Sequence, residues 1–181
     1  MEAPDLDRWV DDAAVRVVHS AATDLDPARV WRAAMELRLE DTRVLGRLVR
    51  WRIPGVCAGA SFQELFRAPP FLVLAEGELE LVSGLVGRIW TLRRDYPVLR
   101  DTDEFRAWRR RGTVRVLFAN WVAPTSSGGS VLHSETRVQS FGVQGRIGLS
   151  SLRPLIGGFH QLIATDAMAG AMRRAREQPF V

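Results

Sequence analysis

The order of hydrophobic patterns along the chain is the feature that most restricts its fold. A short stretch of alternating apolar residues comes first, and two closely spaced segments of helical period follow it. A longer strand-like region, a hairpin and an apolar-faced helical segment complete the chain. This order predicts an α+β fold in which a curved antiparallel sheet wraps around a long C-terminal helix. Such a fold often leaves a cavity where sheet and helix do not quite meet.

The N-terminal third contains the clearest local signals. A strand is predicted over residues 13–22, followed by a helix that starts at Asp26-Pro27, because aspartate caps free backbone donors and proline suits the first helical position. The buried stripe of this helix is predicted at Val30, Ala33, Ala34 and Leu37. A second helix is predicted over residues 40–52 and ends before Pro54-Gly55.

The middle of the chain favours strands. Alternation predicts strands over residues 61–67, 71–80 and 81–90. Residues 93–111 are charged, and they form either a short helix opening at Asp103 or an irregular lid. The clearest hairpin joins strands over residues 113–123 and 130–141.

The C-terminal segment has helical period from Leu152 onward. Its apolar stripe continues into small residues, and Pro154 is expected to kink or restart the helix. Upstream, Gly142-x-x-Gly145 lacks the setting of a phosphate loop and is interpreted as a bulge or turn. The stripe consists of Leu152, Leu155, Ile156, Phe159, Leu162 and Ile163, then Ala167, Gly170 and Ala171.

Composition excludes several classes of protein. With 181 residues the chain is predicted to be one domain, residues 1–181, in which the polar residues 1–12 form a surface extension. All 25 basic residues are arginine and the net charge is only +4, which does not indicate nucleic-acid binding. The lone Cys57 excludes an internal disulfide. We expect a cytoplasmic protein with no signal peptide, stable membrane insertion, cofactor or metal site.

Several local strings resemble one superfamily. They are Asp26-Pro-Ala-Arg-Val-Trp31, Gly84-Leu-Val-Gly-Arg-Ile-Trp90, Phe105 to Trp121, Ser134-Glu-Thr-Arg-Val138, and Arg146 with Leu155 to Ile163. Together with the element order, these strings resemble the SRPBCC superfamily of START-like and polyketide-cyclase-like proteins, in a poorly characterised bacterial branch.

The resemblance implies a helix-grip fold with a pocket between sheet and long helix that holds apolar or amphipathic small molecules, lipids among them. Some members of the superfamily catalyse cyclisation, dehydration or hydrolysis, and many only bind. None of the matched strings is a catalytic motif, and fold alone does not decide activity.

Eight residues are predicted to line the pocket. In the strand over 113–123, Phe118 and Asn120 are expected to face it, and a buried amide at Asn120 could hold the polar end of a ligand. Alternatively, Asn120 bonds a backbone group or water, and the aromatic residues are ordinary core. The predicted lining is Phe71, Trp90, Phe118, Asn120, Glu135, Arg137, Phe159 and Ile163.

His133, Glu135 and Arg137 share one face of a strand, because side chains alternate. They form either a polar group inside the pocket or a solvated outer face, with Leu132, Thr136 and Val138 pointing inward. A third interpretation is that Glu135 and Arg137 form a structural salt bridge with neighbouring strands. The isolated histidines His19 and His160 are more typical of hydrogen-bonded core than of general bases.

The sequence therefore predicts a protein that binds a hydrophobic small molecule. The first alternative is a cyclase or dehydratase acting on a hydrophobic, polyketide-like substrate. Such an enzyme would use Glu135, Arg137, Asn120 or a histidine, and two of these groups would have to converge. The second alternative is an interaction module that forms a homodimer.

Overall fold

The computed structural model of the chain describes residues 3–42, 45–52, 55, 57–91, 95–151 and 167–177. Within these residues lie five strands: β1 Val15–Thr23, β2 Leu72–Gly77, β3 Glu80–Gly87, β4 Thr113–Pro124 and β5 Ser130–Phe141. They form one antiparallel sheet in the order β1-β5-β4-β3-β2. The helices are α1 Pro27–Glu36, α2 Leu45–Arg52, α3 Phe62–Arg67, α4 Thr102–Ala107, α5 Gly142–Ser151 and α6 Ala169–Glu177, and a 3₁₀ turn spans Leu39–Asp41.

The helix α1 begins where the sequence predicts it. The Asp26 Oδ1 accepts hydrogen bonds from the backbone N–H groups of Ala28 (2.9 Å) and Arg29 (3.2 Å). These bonds satisfy donors that have no partner inside the helix. The predicted stripe is buried, and Val30 and Ala34 pack against residues of β3, β4 and β5.

The prediction of a strand over residues 61–67 is wrong, because this segment is the helix α3. The Ser61 hydroxyl accepts a hydrogen bond from the Glu64 N–H (3.2 Å), and the Glu64 carboxylate accepts one from the Ser61 N–H (2.7 Å). This reciprocal pair is a capping box, whose serine-x-x-glutamate signature opens helices. These capping bonds favour a helix, although the alternation of apolar and polar residues after Ser61 favours a strand. The second predicted helix also begins later, at Leu45, after the 3₁₀ turn.

The end of the chain is only partly described. Residues 152–166, which carry most of the predicted apolar stripe, lie outside the described residues. Beyond them the predicted helical period is confirmed by α6, where Ala171 is buried. The interpretation of Gly142-x-x-Gly145 as a bulge or turn holds only at its first glycine, because Gly145 lies inside α5. Gly142 (φ +74°) takes the positive φ that glycine adopts readily and lets β5 turn directly into a helix.

The two faces of the sheet are covered differently. We call the face on which α1, α3 and α6 pack the inner face, and the opposite one the outer face. Because directly paired residues share a face, the strand register assigns each side chain to one of them. The described elements confirm the predicted α+β fold of helix-grip type. None of the helices within the described ranges is long and apolar enough to cross a membrane.

The N-terminal segment is not a surface extension. Leu6, Trp9 and Val10 are buried on the outer face, and Val10 has no exposed surface. There they pack with Phe105 of α4 and with Val82 of β3. Acidic residues are frequent in this segment. Its three buried apolar residues decide its position, because their burial removes apolar surface from water.

Candidate functional site

The inner face carries a partly exposed patch at the centre of the sheet. Phe118 and Asn120 lie on β4, and Ser134 and Thr136 lie opposite them on β5. All four side chains stay partly exposed, although β4 is flanked by strands on both sides and helices pack on this face. Phe118 and Asn120 therefore lie on the inner face, the side of the sheet on which the sequence predicts them.

Aromatic rings border this patch. The Phe118 ring centroid lies 5.6 Å from that of Phe66 on α3 and 5.6 Å from that of Phe71. Phe66 and Phe71 meet edge to face at 5.3 Å, and Phe62 lies 6.0 Å from Phe66. These distances are typical of favourable aromatic pairs. Phe62 and Phe66 were not predicted as members of this cluster, because the alternation after Ser61 predicted a strand there.

A row of polar side chains crosses the inner face beside the rings. Asn120 is paired directly with Ser134, and Ser134 with His19 of β1. Directly opposite residues of antiparallel strands have Cβ atoms about 5 Å apart, so one small polar group could contact neighbouring members of the row. The side chains of Asn120, Ser134 and Thr136 make no hydrogen bond within the described part of the chain. We call these three residues, together with His19, the polar row.

Of the other predicted lining residues, Phe71 and Trp90 belong to the inner-face core. Phe71 is buried among the rings, and the partly buried Trp90 packs around the same cluster. A Cβ at Gly148 of α5 would overlap the Trp90 indole, so this glycine admits the ring. Phe159 and Ile163 lie outside the described residues.

Glu135 and Arg137 lie on the outer face, away from Phe118 and Asn120. In the strand register, Glu135 lies opposite Ala119 of β4 and Val18 of β1. Arg137 lies opposite Leu117 of β4 and Arg16 of β1. The prediction that they line the same cavity as Phe118 is therefore wrong, because the sheet separates the two groups. Of the three interpretations, the structural salt bridge is the one observed, since Arg16 donates to Glu135 (Nε to Oε1, 2.8 Å).

Glu135 also forms an ion pair with Arg137, and this second pair is buried beneath the N-terminal segment. The Arg137 Nε donates to Glu135 Oε1 at 2.6 Å, and Arg137 Nη1 donates to the carbonyl of Val10 at 2.8 Å and to the Asp7 carboxylate. Burial disfavours the Arg137 cation, but the hydrogen bonds to Asp7 and Glu135 outweigh it and raise the pKa of Arg137. The same contact with Arg137 lowers the pKa of Asp7. The outer face is therefore not solvated at this point.

Arg115 is a second buried cation on the outer face. Its Nη1 donates to the carbonyls of Phe105 (3.1 Å) and Arg106 (2.7 Å), and its Nη2 donates to the Gln139 Oε1 (2.5 Å). The two carbonyls belong to the last turn of α4, where the helix dipole favours a positive charge. Burial lowers the pKa of Arg115 to about 10. This arginine attaches α4 to the sheet.

His133 also lies on the outer face. Its ring stacks on Trp121 with centroids 4.8 Å apart, and its Nδ1 lies 2.8 Å from the Ser20 hydroxyl. Burial lowers the pKa of His133, which favours the neutral ring. It is therefore not positioned to act with Asn120 across the sheet.

A groove of about 350 Å³ opens elsewhere on the surface, between the ends of α1 and α3 and helix α6. Its lining consists of Glu36, Arg38, Gly59, Ser61, Glu64 and Arg174. Arg174 forms ion pairs with Glu36 (Nη2 to Oε2, 3.8 Å) and with Asp41 (Nη1 to Oδ2, 3.6 Å), so the positive charge of this arginine is paired within the chain. None of its lining residues belongs to the polar row.

No group of three metal-ligating side chains occurs in the described ranges. Cys57 is exposed. The described residues place the polar row and its aromatic border at the middle of the sheet.

No protein-family model matches the chain, and no curated protein matches it. Several solved structures match the chain at low sequence identity. A hypothetical protein from Helicobacter pylori shares 11% identity over 97% of this chain and 96% of its own, with a TM-score of 0.43. A protein from Thermus thermophilus shares 12% identity over 90% and 97%, with a TM-score of 0.36. The Zhui aromatase/cyclase from a Streptomyces species shares 13% identity over 92% and 99%, with a TM-score of 0.36. At these identities and TM-scores the likeness carries no function over to this chain.

Proposed function

We propose that this protein binds an apolar or amphipathic small molecule on the inner face of the sheet, between the sheet and the helices. The observation that carries the proposal is the partial exposure of Phe118 and Asn120. Side chains at the centre of a sheet beneath packed helices are normally buried, since cores are close-packed. A ligand bound on the inner face would cover these partly exposed side chains.

The surroundings suit such a ligand. The rings of Phe66, Phe71 and Phe118 provide an apolar wall. Beside it, Asn120 and Ser134 provide polar groups that make no hydrogen bond to any described residue. Ligand sites commonly combine a mostly apolar lining with a few polar groups that fix orientation. Trp90, Phe159 and Ile163 remain predicted members of the lining, and the resemblance to SRPBCC proteins supports the same function.

The cyclase or dehydratase alternative loses two of its candidate residues. Glu135 and Arg137 are committed to the ion pair on the outer face and cannot converge with Asn120. A binding protein therefore accounts for the inner face better than an enzyme built on that pair. Formation of a homodimer stays a prediction.

Titration with N-phenyl-1-naphthylamine, a neutral dye that fluoresces in apolar surroundings, tests the proposal. We expect saturable binding to the wild-type chain. The change Ser134→Phe should weaken binding about tenfold or more, because it fills the space beside Asn120. Circular dichroism and the thermal midpoint establish that the variant is folded.

Val18→Phe is the matched control. Val18 is 46% exposed on the outer face of β1, so an added ring there should leave dye binding unchanged. Equal loss of binding in both variants, or no saturable binding to the wild-type chain, would contradict the proposal.

A further inference from the structure

Formal charges are distributed unequally between the two faces of the sheet. The charged residues of β4 and β5 are Arg115, Glu135 and Arg137, and all three lie on the outer face. Among the inner-face residues of the five strands, the only carboxylate is that of Glu76, at the exposed end of β2. Arg67 of α3 forms an ion pair with it. Among the described strand residues, none at the centre of the inner face is an arginine, aspartate or glutamate.

The polar groups that do occupy the centre are neutral amides and hydroxyls, together with one imidazole. Asn120, Ser134 and Thr136 provide both donors and acceptors, and His19 completes the row. Two partly buried arginines of the helices on this side bond to groups outside the row. Arg174 forms ion pairs with Glu36 and Asp41, and Arg29 Nε donates to the Ala175 carbonyl (2.5 Å).

We infer that the ligand carries an uncharged polar group, a hydroxyl, carbonyl or carboxamide, which bonds to the polar row. This inference rests on the proposed function and names the chemical class of its ligand. Burying an ion without a partner costs far more than burying a hydroxyl that finds a hydrogen bond. A carboxylate, phosphate or ammonium at the row would find no arginine, aspartate or glutamate of the strands beside it.

Competition with bound N-phenyl-1-naphthylamine at pH 8 tests this inference. The competitors are decanol, decanoate and decylammonium, which share one alkyl chain and differ in the charge of the polar group. Decanol is expected to displace half of the dye at a concentration about tenfold lower than either ion, because only the ions lose hydration without an ion pair. Displacement by decanoate or decylammonium at or below the decanol concentration would overturn the inference and leave the proposed function standing.

A variant locates the effect at the row. Asn120→Asp places one negative charge there, so decylammonium should gain and decanoate should lose relative to decanol. Ser20→Asp, on the outer face, makes the same change in net charge and should leave the order of the three unchanged. Identical shifts in both variants would show that the polar group of the ligand is not at the row. Absence of saturable dye binding to the wild-type chain would remove the proposed function and this inference together.

Discussion

Replacing Phe105 by alanine is expected to lower the free energy of unfolding by about 3–5 kcal/mol, the range seen when a buried phenylalanine leaves a cavity. Phe105 has no exposed surface. Its ring meets Trp9 edge to face at 6.5 Å, and the Arg115 guanidinium lies 5.4 Å from its centroid. Loss of the ring should loosen α4 and the N-terminal segment from the outer face together. Urea denaturation followed by circular dichroism measures the change.

Gly84 provides a coupled test of the same contact. A Cβ at Gly84 would overlap the Phe105 ring, so Gly84→Ala should destabilise the wild-type chain. In the Phe105→Ala background the same change should cost much less, because the ring is gone and the two sites share one cavity. Val98→Ala, at a side chain that is 69% exposed, should stay within about 0.5 kcal/mol of wild type. Additive effects of Gly84→Ala and Phe105→Ala would contradict this packing.

Arg137→Met should cost about 3 kcal/mol, because removing one member of a buried ion pair leaves the other charge poorly compensated. The side chains of Arg137 and Glu135 are 9% and 5% exposed. The expected loss lies at the lower end of the range for buried pairs, since Arg16 still contacts Glu135. Asp7 and the Val10 carbonyl also lose their donor, so the N-terminal segment should become more accessible to protease. Denaturant titration measures the free energy of unfolding.

The double variant Glu135→Leu/Arg137→Met separates a buried charge from lost packing. Replacing both charges by apolar groups of similar size should recover most of the stability, as buried pairs often allow. Arg100→Met removes an exposed pair with Glu104 and should change stability by less than about 1 kcal/mol. A double variant as unstable as Arg137→Met alone would show that the buried charge is not the cause.

Residue alternation was sufficient to assign the faces of the long strands. The periodicity of β4 and β5 correctly grouped Phe118 with Asn120 and Glu135 with Arg137. It could not tell whether the second group faces a pocket, because alternation separates two faces without saying what covers each. Asp7 and Val10 of the N-terminal segment cover Glu135 and Arg137 on the outer face. Both lie far from β5 in the sequence, in a segment rich in acidic residues.

The local errors have local causes. The alternation after Ser61 favours a strand, whereas the capping bonds between Ser61 and Glu64 decide for a helix. The serine-x-x-glutamate spacing was a signal that could have found α3, and with it Phe62 and Phe66 beside Phe118. Gly142 turns the chain where β5 ends, as a turn residue would, whereas Gly145 lies inside α5.

The most direct test of the proposed site is to measure intermolecular nuclear Overhauser effects between decanol and the side chains of the folded chain. We predict contacts from the alkyl protons to the Phe118 ring and the Thr136 methyl on the inner face, and none to the Ala119 and Val18 methyls on the outer face. Contacts confined to Ala119 and Val18, or bound decanol without any contact to Phe118, would contradict the account.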